Sequence, residues 1–141
     1  ELDAAYPEWE RKREEWIESL ESLFKRIEGW LKPLEKRRYL VISYEKVSIS
    51  EHSLGQYTVS KMVITFFNNE KAVLVPVGLH IIGARGRVDM RMGMRTIGIV
   101  GTEDGSGWFF SERENRLGRP RTWDFDKPSF EALLTEFAEA F

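Results

Sequence analysis

Four arginines recur at odd-numbered positions in one short stretch of the sequence, in step with one aspartate. The stretch reads Arg-Gly-Arg-Val-Asp-Met-Arg-Met-Gly-Met-Arg from position 85 to position 95. In an extended strand alternate side chains share a face, so the charged groups would point one way and Val88 and the methionines the other. A guanidinium group is a planar fork that matches a phosphate or a carboxylate at two points. We therefore expect an anion-binding row formed by Arg85, Arg87, Arg91 and Arg95.

The same guanidinium groups have an alternative partner in the carboxylates of the chain itself. Besides Asp89 in the row, the acidic residues expected within reach are Glu45, Glu103, Asp104 and the C-terminal glutamates. Glycines at 83, 86 and 93 also affect the row, because a glycine inside a strand often marks a bulge or a close backbone approach. A bulge at any of them would divide the row.

A second basic region lies at the predicted tip of a hairpin between Trp108 and Trp123. Basic loops bordered by aromatic residues can hold nucleic acid by combining phosphate contacts with base stacking. Acidic neighbours on both sides dilute the positive charge, and the alternative is that the tryptophans belong to the core. The candidate anion-binding residues of this region are Arg113, Arg116, Arg119 and Arg121.

The sequence carries no defensible catalytic motif. It has no cysteine, which excludes disulfides and thiolate chemistry, and its two histidines cannot by themselves complete a zinc site. Asp89, Glu103 with Asp104, and Asp124 with Asp126 could in principle hold magnesium or manganese, so a metal-dependent hydrolase is the third alternative. Asp126 is better explained as the cap of a helix. We expect no catalytic residue, no cofactor and no metal site.

A helix with a heptad seam is predicted for residues 1–35, with Pro7 in its first turn. Its apolar residues recur in steps of three and four, which is the pattern of a helix that packs along one face. Two interpretations stay open: the helix covers its own domain's core, or it associates with a second copy or a protein partner. The candidate interface residues are Trp9, Trp16, Leu20, Leu23, Ile27 and Trp30.

From Tyr39 the apolar pattern changes to a period of two, with residues that favour strands. We expect an antiparallel sheet over residues 39–125, with a break at Pro76–Gly78 and a flexible loop over 101–107. A second helix is predicted over 127–141, with Asp126 as its N-cap. The predicted fold class is α+β: a strongly bent meander of about six or seven strands, with both helices on its apolar face.

The 141 residues predict one domain of net charge -2. Without an apolar run long enough to span a bilayer, or a signal peptide, we expect a cytoplasmic protein with no membrane partner. The sequence begins at Glu1 without an initiator methionine, as a segment of a longer chain would. The function we expect is a non-catalytic binding module that presents the arginine row to an anionic partner, with nucleic acid the leading candidate. The alternative is an assembly subunit that acts through the helix seam.

Overall fold

The computed structural model describes residues 8–81, 84–114 and 117–139. The fold consists of two helices and one antiparallel sheet, in which the seven strands pair in chain order. The α+β fold class and the meander predicted from the sequence are confirmed. In chain order the elements are α1 (Glu8–Lys36), β1 (Leu40–Glu51), β2 (Gly55–Phe66), β3 (Lys71–Ile81), β4 (Ala84–Met92), β5 (Arg95–Gly101), β6 (Trp108–Glu112), β7 (Arg121–Asp124) and α2 (Lys127–Glu139).

Helix α1 continues through Pro33 and ends at Lys36, one turn beyond the proline. A proline lacks only its own N–H, so the residues after it can still donate, and Arg37 N–H reaches the Pro33 carbonyl at 3.2 Å. Arg38 then takes the left-handed conformation (φ 63°) that commonly ends a helix. The first seven residues of the predicted helix lie outside the described residues.

Both helices pack on one face of the sheet and enclose the apolar core. The seam of α1 packs in this core, to which β3 and β4 contribute their even-numbered residues and β5 its odd-numbered residues. Each large aliphatic or aromatic side chain buried in this way stabilises the fold by about 1.5–3 kcal/mol. Core residues that are at most 2% exposed include Leu23, Ile27, Leu31, Ile64, Leu74, Met90, Ile97, Phe110 and Phe130.

Strands β2 and β3 pair over only part of their lengths. These strands pair only from Met62 with Leu74 to Thr65 with Lys71, and beyond Leu74 strand β3 pairs with β4 alone. Proline is tolerated on such an edge because no neighbour requires its missing N–H. The break predicted at Pro76–Gly78 is therefore a register shift within a continuous strand.

The C-terminal helix is capped as the sequence predicts. Asp126 Oδ1 accepts a hydrogen bond from Ser129 N–H at 2.9 Å, and the Asp126 carbonyl accepts one from Phe130 N–H at 2.9 Å. Such a cap satisfies backbone donors that the first helical turn leaves unpaired. Neither helix in the described part of the chain combines the length and apolarity that a membrane span requires.

Candidate functional site

The arginine row is divided between three places in the fold. Gly93 and Met94 form a turn between β4 and β5, so Arg95 begins the next strand. It pairs with Met92, and directly paired residues share a face of a sheet. Arg95 therefore lies on the helix-bearing face, whereas Arg87 and Arg91 lie on the opposite, open face. The expectation that all four arginines share one face is wrong, because a turn intervenes where the alternation was assumed to continue.

Arg95 is held by two carboxylates of its own chain. Its Nε and Nη2 atoms donate to the two oxygens of Glu112 at 2.8 and 2.9 Å, and its Nη1 atom donates to Glu136 at 3.2 Å. The bond from Arg95 lowers the pKa of Glu112, against the opposing effect of burial. Arg121 also reaches Glu112, at 3.4 Å, and its guanidinium lies 4.5 Å from the centre of the Trp123 ring. These two arginines fit the alternative of internal ion pairs.

Arg87 and Arg91 differ in their partners although both lie on the open face. Arg87 Nε donates to Asp89 Oδ1 at 2.7 Å, and its guanidinium lies so close over Gly98 that a Cβ atom there would be 2.7 Å from Cζ. Arg91 is exposed and has no ion pair within the described residues. One of the two is therefore neutralised locally and the other faces solvent.

Arg85 lies on the wall of a cleft of about 510 Å³, the Arg85 cleft, which runs between the first half of α1 and the ends of strands β3–β6. The Arg85 side chain is exposed, and within the described part of the chain no carboxylate pairs with it. Two further cations and two carboxylates line the opposite wall from α1. The charged and aromatic lining residues are Glu8, Arg11, Lys12, Glu15, Trp16, Arg85 and Trp108.

Two glycines allow the close backbone packing behind this wall. Gly86 has φ 91°, and a Cβ atom there would lie 2.3 Å from the ring of Trp16. At Gly101 a Cβ atom would lie 2.1 Å from the Arg85 carbonyl oxygen. Neither position has room for a side chain. The arginines on either side of Gly86 have different surroundings, since Arg85 lines the cleft and Arg87 bonds to Asp89.

The loop over residues 102–107 forms the rim of the Arg85 cleft and is ordered by its own hydrogen bonds. Asp104 Oδ1 accepts bonds from Thr102 Oγ1 (2.7 Å), Ser106 N–H (3.0 Å) and Ser106 Oγ (2.7 Å). These donors, with Thr102 first, lower the pKa of Asp104 to about 2. Asp104 was an expected partner of the arginines, but its bonds are made inside the loop. The loop predicted here is thus closed by hydrogen bonds among its own residues.

The floor of the cleft is aromatic and is tied to the core by a chain of hydrogen bonds. The Trp16 and Trp108 ring centres are 6.3 Å apart. Trp16 Nε1 donates to the Tyr57 hydroxyl at 3.0 Å, and that hydroxyl donates to the Glu51 carboxylate. The same carboxylate accepts the Leu79 N–H at 3.1 Å. Burial, with the bond to Glu51, raises the pKa of Tyr57, so the phenol remains a donor.

The second basic region is only partly described. Arg113 and Arg119 are exposed and do not line the cleft, and Arg116 lies outside the described residues. Trp123 stacks on Phe110 with ring centres 5.2 Å apart, so it belongs to the core side of the hairpin. Of the two tryptophans expected to flank this region, Trp108 faces the Arg85 cleft instead.

The helix seam is used mainly within the chain's own core. Trp16, Leu20, Leu23 and Ile27 are at most 3% exposed, and Trp30 packs against Phe125 and Phe130 at 5.2 and 5.8 Å between ring centres. Buried side chains of this kind offer a partner no surface while the domain is folded. Trp9, at 45% exposure, is the seam residue that remains open to solvent.

Sequence reasoning identified Arg85 and noted Trp108, but it missed Tyr57 and Glu51. These two residues act on the cleft through contacts between segments 28 and 41 residues apart, and no local pattern marks such contacts. The described residues contain no group of three or more acidic or histidine side chains placed to hold a metal ion. Comparison with protein-family models, curated proteins and solved structures finds no match to this chain.

Proposed function

We propose that this protein is a non-catalytic binding module whose Arg85 cleft takes an anionic partner, and that the partner is nucleic acid. A phosphate can be held by guanidinium and ammonium groups, while a base can pack against an aromatic ring. The cleft offers both kinds of group. Three cations face two carboxylates there, and one of the cations, Arg11, is paired with Glu8, so the cleft keeps a small positive charge although the whole chain is at -2.

The observation that carries the proposal is that, of the four arginines of the predicted row, Arg85 is both unpaired in the described residues and on the wall of the cleft, whereas Arg91 is exposed on the open sheet face and does not line the cleft. Arg87 and Arg95 each have a carboxylate within 2.8 Å, whereas Arg85 has none in the described residues and borders a cleft. An arginine paired inside the chain gains little from an external anion, because the two anions compete for the same donors. An arginine exposed in a cleft keeps its two-point donor geometry for a ligand.

The assembly-subunit alternative receives less support, since most of the helix seam is buried in the domain's own core. Among the candidate interface residues, all of which lie in the described part of α1, Trp9 is the exposed one. A metal-dependent hydrolase receives none from the described residues, in which no three acidic or histidine side chains are placed to hold a metal ion.

The proposal is tested with labelled single-stranded DNA and RNA, titrated with the protein at about 50 mM salt and followed by fluorescence anisotropy. Arg85→Glu should weaken binding at least about tenfold, as expected for loss of a two-point arginine contact. Arg37→Glu changes the net charge equally at the far end of α1, and Arg91→Glu does so on the open sheet face. Both should bind within about threefold of the wild type.

Two results would overturn the proposal. The first is a wild type that binds none of these nucleic acids. The second is an Arg85→Glu variant that binds as the wild type does, whether or not Arg91→Glu loses affinity. Far-ultraviolet circular dichroism of each variant should match the wild type, because all three arginines have exposed side chains.

A further inference from the structure

We infer that the Arg85 cleft binds one nucleotide unit of a single strand, with the phosphate on Arg85 and the base against Trp108. The inference rests on the proposed function and specifies the ligand of that site. It excludes a duplex as the preferred ligand, because a paired and stacked base has no free face to offer an aromatic side chain.

The position of Trp108 beside Arg85 is the first support. In the β5–β6 ladder Trp108 pairs with Gly101, and a Cβ atom at Gly101 would lie 3.7 Å from the Cβ atom of Arg85. The two side chains therefore flank the same glycine, one from β6 and one from β4. Two strand spacings, about 10 Å between backbones, separate them. The phosphate, sugar and base of one nucleotide can bridge such a gap.

The fixed setting of the aromatic floor is the second support. Trp16 is 3% exposed, lies on Gly86 and is bonded to Tyr57, so its ring backs Trp108 from the protein side. Trp108 is half-buried and lines the cleft, which leaves part of its ring for a ligand. A ring held in place loses little freedom when a base packs on it, and such preorganisation favours affinity.

The size of the cleft is the third support. Its volume of about 510 Å³ lies within the range of about 300–1,000 Å³ typical of small-molecule sites. The rim loop is closed by the bond from Thr102 N–H to the Gly107 carbonyl at 3.0 Å. The cleft can therefore enclose one nucleotide, while the rest of a strand would lie outside it.

The first test is competition against a bound labelled oligonucleotide by three small ligands. A nucleoside 5′-monophosphate should displace the oligonucleotide at a concentration at least about fivefold lower than ribose 5-phosphate, since a stacked base contributes at least that factor. Inorganic phosphate should be weaker still. Equal potency of the nucleoside and ribose phosphates would overturn the inference.

The second test uses variants of Trp108 and a matched tryptophan. Trp108→Leu should weaken oligonucleotide binding at least about fivefold, and Trp108→Phe, which keeps an aromatic face, should lose less. Trp123→Phe, on the core side of the neighbouring strand, should bind as the wild type. If Trp108→Leu does not fold, the phenylalanine variant and the competition series still decide the matter.

The two proposals fail in different ways. Oligonucleotide binding that depends on Arg85 but is unchanged in Trp108→Leu would overturn the nucleotide inference and leave the binding function standing. Absence of oligonucleotide binding in the wild type would overturn both. Tighter binding of a duplex than of the matching single strand would also count against the inference.

Discussion

Gly86 holds a backbone conformation, φ 91°, that residues with a side chain seldom adopt, and the ring of Trp16 covers it. Gly86→Ala would place a Cβ atom 2.3 Å from that ring. Backbone strain at such a position costs about 1–3 kcal/mol, and displacement of a buried ring adds to it. We expect the free energy of unfolding to fall by at least about 2 kcal/mol, measured by urea denaturation.

Gly29 supplies a matched control for this substitution. It lies in α1, and a Cβ atom there meets nothing within 4 Å. Gly29→Ala should stabilise the protein by about 0.5–1 kcal/mol, because alanine favours a helix interior over glycine. A Gly86→Ala variant as stable as Gly29→Ala would show that Trp16 can move away and that the floor of the Arg85 cleft is not fixed.

At the scale of elements, Glu112 joins β6 to β5 and, through Arg95, to α2. Glu112 is 13% exposed in its side chain and accepts two bonds from Arg95, which in turn contacts Glu136 of α2. Glu112→Gln should lower the free energy of unfolding by about 1–2 kcal/mol at pH 7, since a charge-assisted pair is replaced by neutral bonds.

The pH dependence of this difference follows from the pKa of Glu112. Arg95 lowers that pKa in the folded state. The carboxylate therefore contributes stability above its ordinary pKa of about 4.3, and the contribution is lost as pH falls through the lowered value. The difference in the free energy of unfolding between wild type and Glu112→Gln should narrow as pH falls below about 4.3. Glu18→Gln, at an exposed site on α1, should unfold with a free energy close to that of the wild type at pH 7. A difference for Glu112→Gln that does not narrow as pH falls would contradict the account.

The elements themselves were largely predictable from sequence, because helix and strand periods are local signals. The seam of α1, the strand period from Tyr39 onward and the Asp126 cap each depend on residues within a few positions of one another. The Gly93–Met94 turn was not predicted by the same reasoning. Because Met92 and Arg95 pair across this turn, Arg95 lies on the face of Met92 and not on that of Arg91. What could not be predicted was which arginine is paired, because the Arg95 partners lie 17 and 41 residues away.

At the scale of the whole molecule, neither the net charge nor the paired arginines favour an external anion. The chain carries 21 lysines and arginines against 23 aspartates and glutamates, so its long-range field does not attract a polyanion. Arg87, Arg95 and Arg121 are also neutralised by their own carboxylates. Binding of nucleic acid must then depend on a few local contacts in the Arg85 cleft, and this has a measurable consequence in its response to salt.

The affinity for a single strand falls with salt with a slope of about -0.7 in log–log form for each phosphate neutralised. Three cations line the Arg85 cleft, and one of them, Arg11, is paired with Glu8, which leaves Lys12 and Arg85 for phosphate. Their combined slope is about -1.4, so affinity should fall about sevenfold between 50 and 200 mM salt. The eight arginines first considered from the sequence would give a slope of about -5.6 and a loss of about 2,000-fold. Anisotropy titrations across this salt range distinguish binding in the cleft from binding by the wider arginine set. Arg85→Glu should make the slope less negative by about 0.7 or more. A slope as steep as about -5 would place the contacts across the wider arginine set and not in the cleft, because the cations of the cleft cannot release that many counterions.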